Sequence, residues 1–117
     1  MGGAKRNHTV GFTYVAEIAS AMNHPMRLKA LMDIAHTKYP INPVLIARQN
    51  GFSMNDCAYH VRKLAEIGAI ELTYTEPVRG ATKHLYKVAP FGEEIVTWAR
   101  KIERYGRKRE RERAEAH

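Results

Sequence analysis

The sequence predicts a mainly α fold with one β-hairpin: a winged helix-turn-helix followed by a long C-terminal helix. Three observations predict it. Residues 43–64, PVLIARQNGFSMNDCAYHVRKL, read as a short helix, a glycine turn and a second helix opened by a capping serine. Residues 69–88 read as two period-two strands around turn material. From Pro90 onward the apolar residues return to helical spacing.

The elements follow in order. Residues 1–12 read as a flexible basic arm, residues 13–105 as the domain and residues 106–117 as a charged tail. Val15, Ile18, Ala19 and Met22 recur at helical spacing behind Thr13, a residue suited to an N-cap. Pro25 stands where a first-turn proline is tolerated, and Met26, Leu28, Leu31, Met32, Ile34 and Ala35 carry a second helix to His36. Residues 37–41 read as loop. Asn42 caps a third helix with Pro43 in its first turn, and Gly51 stops it. Ser53 to Asp56 has the form of a capping box, with Asp for the usual Glu. Cys57, Val61, Leu64 and Ile67 then share one buried face, and Gly68 ends the helix.

In the first strand Ile70, Leu72 and Tyr74 alternate with Glu71, Thr73 and Thr75, so the first three are expected inward. Residues 76–81 read as the turn and 82–88 as the returning strand. In the last helix Glu93 and Glu94 lie near the positive N-terminal end. No internal repeat is present.

Length and composition narrow the classes. The chain has 117 residues, enough for one modest core. Its 19 Lys and Arg against 12 Asp and Glu give a formal net charge of +7. A small basic domain favours polyanions such as nucleic acid or an anionic membrane surface; the plainer reading is a solvated basic surface. The single cysteine, Cys57, allows no internal disulfide. No apolar run approaches the roughly 18 residues of a membrane span, and the polar N-terminus lacks a signal peptide's apolar stretch. A soluble cytoplasmic protein without membrane contact is expected. No paired carboxylates, Ser/His/Asp arrangement or phosphate-cradling glycine loop suggests an enzyme.

The order of elements and three stretches carry a resemblance. HPMRLKALMDIA resembles a D-P-x-R-x-x-I-L opening, followed by the helix-turn-helix, then YHVRKLAEIGAIEL and TEPVRGATKHLYKV. Over residues 24–88 the chain resembles the ArsR-type (arsenic-repressor-like) winged-helix transcription regulators of bacteria. The resemblance implies DNA binding, and pairing of two copies through their terminal helices. Family members also sense metals through a paired-cysteine box or through Asp/His/Glu ligands on the last helix. Here the first region reads Val44-Leu45-Ile46-Ala47 and the last helix has no histidine before His117, so neither site carries over. His24 replaces the family's capping Asp.

Physical chemistry supports the same expectation. With Cys57, Val61 and Leu64 inward, Ser53, Asn55, Asp56, Tyr59, Arg62 and Lys63 lie on the other faces of the candidate recognition helix. Asn pairs with adenine, Arg and Lys with guanine, and Asp accepts from cytosine. Tyr59 can reach a phosphate or stack. Arg79, beside Gly80 at the wing tip, can reach the DNA backbone or minor groove, with Lys83 and His84 weaker candidates. The alternatives are a surface helix that is merely solvated and a plain hairpin tip.

Cys57-x-x-His60 offers two ligands, short of the three or four that zinc needs, so no metal or cofactor is expected. Phe91, Ile95, Trp98, Ile102 and Tyr105 form a heptad-like seam. Together with Val15, Ile18 and Met22 it is the expected homodimer interface; alternatively it covers the chain's own core.

The function expected is a sequence-specific, double-stranded-DNA-binding transcriptional regulator, a dimeric repressor. The rival readings are a nucleic-acid-binding module without regulatory role, for RNA binding or DNA packaging, and a protein-docking winged helix.

Overall fold

The computed structural model describes residues 11–116. Most of the expected basic arm, residues 1–10, lies outside them, as does His117. The elements are α1 (Thr13–Met22), α2 (Pro25–His36), α3 (Pro43–Asn50), α4 (Met54–Glu66), β1 (Ile70–Val78), β2 (Ala81–Val88) and α5 (Pro90–Ala116). This is the expected mainly α architecture, with one antiparallel hairpin and a long final helix.

Local sequence sets the boundaries. Thr13 does not cap α1: Phe12 holds the N-cap position, with no side-chain cap bond, and Thr13 is already helical. The Asn42 side chain accepts from the Val44 amide at 2.9 Å, satisfying a donor that the first turn leaves unpaired. Ser53 does the same for α4, its Oγ accepting from the Asp56 amide at 3.1 Å. Asp33 ties α2 to α3, accepting from Asn50 Nδ2 at 2.6 Å.

The core forms where α2, α4 and the start of α5 meet. Leu31, Ile34, Ile46, Leu64 and Ile95 are its largest fully buried members, with Cys57 and Val61 beside them. Ile67 packs only partly against it. Gly92 lets α5 cross close to the end of α4. A Cβ there would run into the Ala69 carbonyl and the Val88 side chain, and the same carbonyl accepts from the Ala89 amide at 3.0 Å.

The hairpin departs from the sequence reading in three ways. First, the strands run on through residues 76–78 and 81, so the turn is only Arg79-Gly80. Both have positive φ, 49° and 82°, as a two-residue I′ turn requires. Second, a bulge at Thr73 breaks the register between Leu72↔Tyr86 and Tyr74↔Leu85. Third, of Ile70, Leu72 and Tyr74 only Ile70 is buried. The ribbon leaves the core after its first residues, so no layer covers its outer length. The expected loop at 37–41 also ends in sheet: Ile41 is buried and exchanges backbone hydrogen bonds with Tyr86 at 2.8 and 2.9 Å.

α5 spans 27 residues, roughly 40 Å at 1.5 Å per residue. Its buried residues are Gly92, Ile95, Val96 and Ala99, all in the first ten positions. Beyond Arg100 the helix runs fully exposed through the charged residues 106–116. Glu103–Arg107 and Lys108–Glu112 are i,i+4 ion pairs along it, each a small contribution on an exposed helix.

Candidate nucleic-acid interface

Asn55, Ala58, Tyr59 and Arg62 recur at i, i+3, i+4 and i+7 on α4, and all four are exposed. The opposite face is buried through Cys57, Val61 and Leu64. Asp56 and Lys63 flank the exposed stripe. Ser53 stands at the helix start with its Oγ already engaged in the cap. The expected face is therefore assembled, and Ala58 adds a small residue at its centre that the sequence reading passed over.

Lys63 is tethered. It pairs with Glu66 at 3.4 Å, and its ammonium lies 5.7 Å from the Tyr59 ring centroid. The Arg27 guanidinium approaches the same ring at 5.8 Å, and the His60 ring meets it edge-on at 5.3 Å. Tyr59 is thus gripped by cations while keeping 42% of its surface exposed.

A groove of about 530 Å³ runs between α4 and the wing. Met54, Ala58 and Arg62 line one wall, Val78 and Lys83 the other, and Asn42 one end. At the wing tip Arg79 is exposed and holds a left-handed backbone, unusual for a non-glycine residue.

His60 and Arg27 are the buried polar residues of the described chain, 8% and 4% exposed. Arg27 Nε donates to His60 Nδ1 at 3.3 Å. Burial first, then the Arg27 charge, then His24, hold His60 below the ordinary imidazole pKa; Asp56 pulls weakly the other way. Burial pushes the Cys57 thiol up, and its Sγ donates to the Pro43 carbonyl at 3.3 Å. The two potential ligands of the Cys-x-x-His pattern are each engaged elsewhere. Among the described residues no group of three or more His, Cys, Asp or Glu is placed to hold a metal. No described helix is long and apolar enough to cross a membrane.

The residues expected at an interface between copies divide. Ile95 is wholly inside the chain's own core and offers nothing to a partner. Ile18, Met22 and Phe91 are partly covered by that core. Val15, Trp98, Ile102 and Tyr105 remain more than half exposed. Phe12 and Tyr14, not anticipated from the helical stripe, are also exposed, and Tyr14 meets Phe91 edge-on at 6.4 Å, placing α1 beside the start of α5.

No protein-family model and no curated protein sequence matches the chain. Solved structures do match, and the fold is that of winged helix-turn-helix proteins, ArsR-family regulators among them. The homodimeric winged helix-turn-helix DNA-binding domain of Mb0332 from Mycobacterium bovis, a possible ArsR-family transcriptional regulator, aligns with a TM-score of 0.62 and 17% identity, over 86% of this chain and 84% of that one. NolR from Sinorhizobium fredii aligns with a TM-score of 0.61 and 19% identity, over 87% and 93%. An ArsR-like transcriptional regulator from Rhodococcus sp. RHA1 aligns with a TM-score of 0.55 and 21% identity, over 91% and 89%. At these identities the likeness is one of fold.

Proposed function

We propose that this chain is a cytoplasmic transcriptional regulator that binds duplex DNA sequence-specifically and represses by occupying an operator as a homodimer. The observation that carries the reading is the exposed stripe of Asn55, Ala58, Tyr59 and Arg62 beside a wing tipped by Arg79. An α-helix fits the major groove, where Asn and Arg distinguish bases and a small residue permits close approach to a thymine methyl. Arg79 supports the reading through its backbone. A left-handed non-glycine residue costs about 1 kcal/mol, and Asn or Gly would relax the turn. A long cation kept there reaches beyond the tip toward phosphates or the minor groove.

The dimer rests on the exposed apolar residues of α1 and α5. Tyr14, Val15, Trp98, Ile102 and Tyr105 leave an apolar surface of a kind that soluble monomers rarely expose. Mb0332, with the same fold, is homodimeric.

The reading is tested by affinity for duplex DNA, single-stranded DNA and RNA across a salt series. The expected result is a preference for duplex, with log affinity falling linearly in log salt as phosphate contacts require. Preference for RNA or single strands would remove the regulator; no binding at all would favour the docking domain.

A further inference from the structure

The least explained group in the fold is Arg27. It is charged and almost fully buried on α2, and among the described residues none of the ion pairs includes it. Its guanidinium is spent on contacts to three residues, Ser20, His60 and Tyr59, that join three helices. Nη1 donates to the Ser20 carbonyl of α1 at 3.1 Å and to Ser20 Oγ at 3.4 Å. Nε donates to His60 of α4 at 3.3 Å. The guanidinium carbon lies 5.8 Å from the Tyr59 ring centroid. His60 and Tyr59 are adjacent residues of the helix read above as facing DNA, one turned inward and one outward.

We propose that Arg27 is the positioning residue of the DNA-reading helix, clamping α4 to α1 and α2 through His60 and Tyr59, and that the clamp closes only while His60 is neutral. The inference rests on the reading of α4 as the recognition helix. Its chemistry is simple. Nδ1 can accept from Arg27 only when it carries no proton, so the neutral ring must hold its hydrogen on Nε2. Protonation turns the acceptor into a donor and sets two cations in contact at a buried site. The groups facing His60 offer little relief. They are Arg27 and the His24 ring of the α2 start, 5.5 Å away, then Tyr59 and Asp56 of α4 itself; α1 contributes Ser20, which binds Arg27 rather than the imidazole. Only Asp56 favours the charged ring, and it is the weakest of the influences on it. A released clamp frees the Tyr59 ring and the rotational setting of α4. Base contacts should then suffer more than phosphate contacts, because the former need a fixed geometry and the latter mainly charge.

The test is the ratio of affinities for a duplex selected from random sequence and for its scrambled counterpart. The wild-type ratio should hold from about pH 7.5 down to about 6.5, the ordinary imidazole value, and fall only below it, by about tenfold once His60 is protonated, the size of one lost base contact, while scrambled-duplex affinity holds or rises. Arg27→Lys keeps the charge but loses the fork, and should show the low ratio already at the higher pH. His60→Asn puts an amide oxygen near the Nδ1 position and cannot titrate, so its ratio should stay high and flat. Wild-type selectivity in Arg27→Lys, or the same pH profile in wild type and His60→Asn, would overturn the proposal. Nitrogen-15 NMR of wild-type His60 without DNA decides the clamp independently of folding in the variants. A bare Nδ1 and a protonated Nε2 are expected; the opposite tautomer overturns the clamp. Absence of any selected sequence, with the expected tautomer present, would instead count against α4 as a DNA reader.

Discussion

In our account the side chains on α4 divide between reading and holding. Asn55 and Arg62 are exposed and free to meet base edges, so Asn55→Ala or Arg62→Ala should flatten discrimination between sequences by roughly 1–3 kcal/mol per lost base contact. Arg79 should behave differently. Arg79→Asn suits the left-handed turn position, so it should leave thermal stability unchanged or higher while weakening binding evenly across sequences, with a shallower salt slope. Titrations of each variant against selected and scrambled duplex, beside thermal melts, separate the two behaviours. His60 adds a stability signature. Its pKa in the folded chain is lowered, so the unfolded chain takes up a proton first as the pH falls. Stability should be full above the ordinary imidazole value near about 6.5 and decline below it, until the folded-state pKa is passed. Melting temperature against pH should show that decline in wild type and a smaller one in His60→Asn.

Among the elements, those governed by local rules were legible in the sequence. Asn42, Ser53 and Gly51 bound α3 and α4 where their capping chemistry says they should, because a cap depends on residues two to four apart. What the sequence concealed depends on contacts between distant parts. The bulge at Thr73 shows only in the pairing of the two strands, and the strand-like pairing of Ile41 only in its contact with the distant Tyr86. Leu72 and Tyr74 alternate as core residues do, yet the ribbon has left the core when it reaches them. Of the site, the exposed face of α4 was legible from periodicity. The Arg27–His60 contact was not, since the two are 33 residues apart and nothing in local spacing joins them. The close crossing of α5 over Ala69 is similarly long-range, and it makes a test of the packing. Gly92→Ala should destabilise by about 1–3 kcal/mol, since the added methyl meets backbone rather than a flexible side chain. Chemical denaturation would measure it, and wild-type stability in that variant would contradict the crossing.

For the whole molecule, the long α5 is the feature that a single copy explains least. The Cα radius of gyration is 17.5 Å, against about 13 Å for a compact domain of this length. Two of the five expected seam residues, Ile95 and Phe91, serve the chain's own core; the other three, Trp98, Ile102 and Tyr105, are left in solvent. The exposed three belong to a two-fold interface in our account. Trp98→Glu should therefore leave the core intact and yield a folded monomer, with operator binding reduced at least tenfold because one large aromatic anchor contributes about 2 kcal/mol or more. Sedimentation of wild type and variant at micromolar concentration checks this. A two-fold pair would set its recognition helices about 34 Å apart, one turn of DNA. The most direct test of the central claim is selection of bound sequences from random duplex DNA by the full chain. The account predicts an enriched inverted repeat with half-sites about 10 base pairs apart, centre to centre, and its loss on combining Asn55→Ala with Arg62→Ala. A pool that stays random while the protein binds it, or enrichment that survives both substitutions, would contradict it.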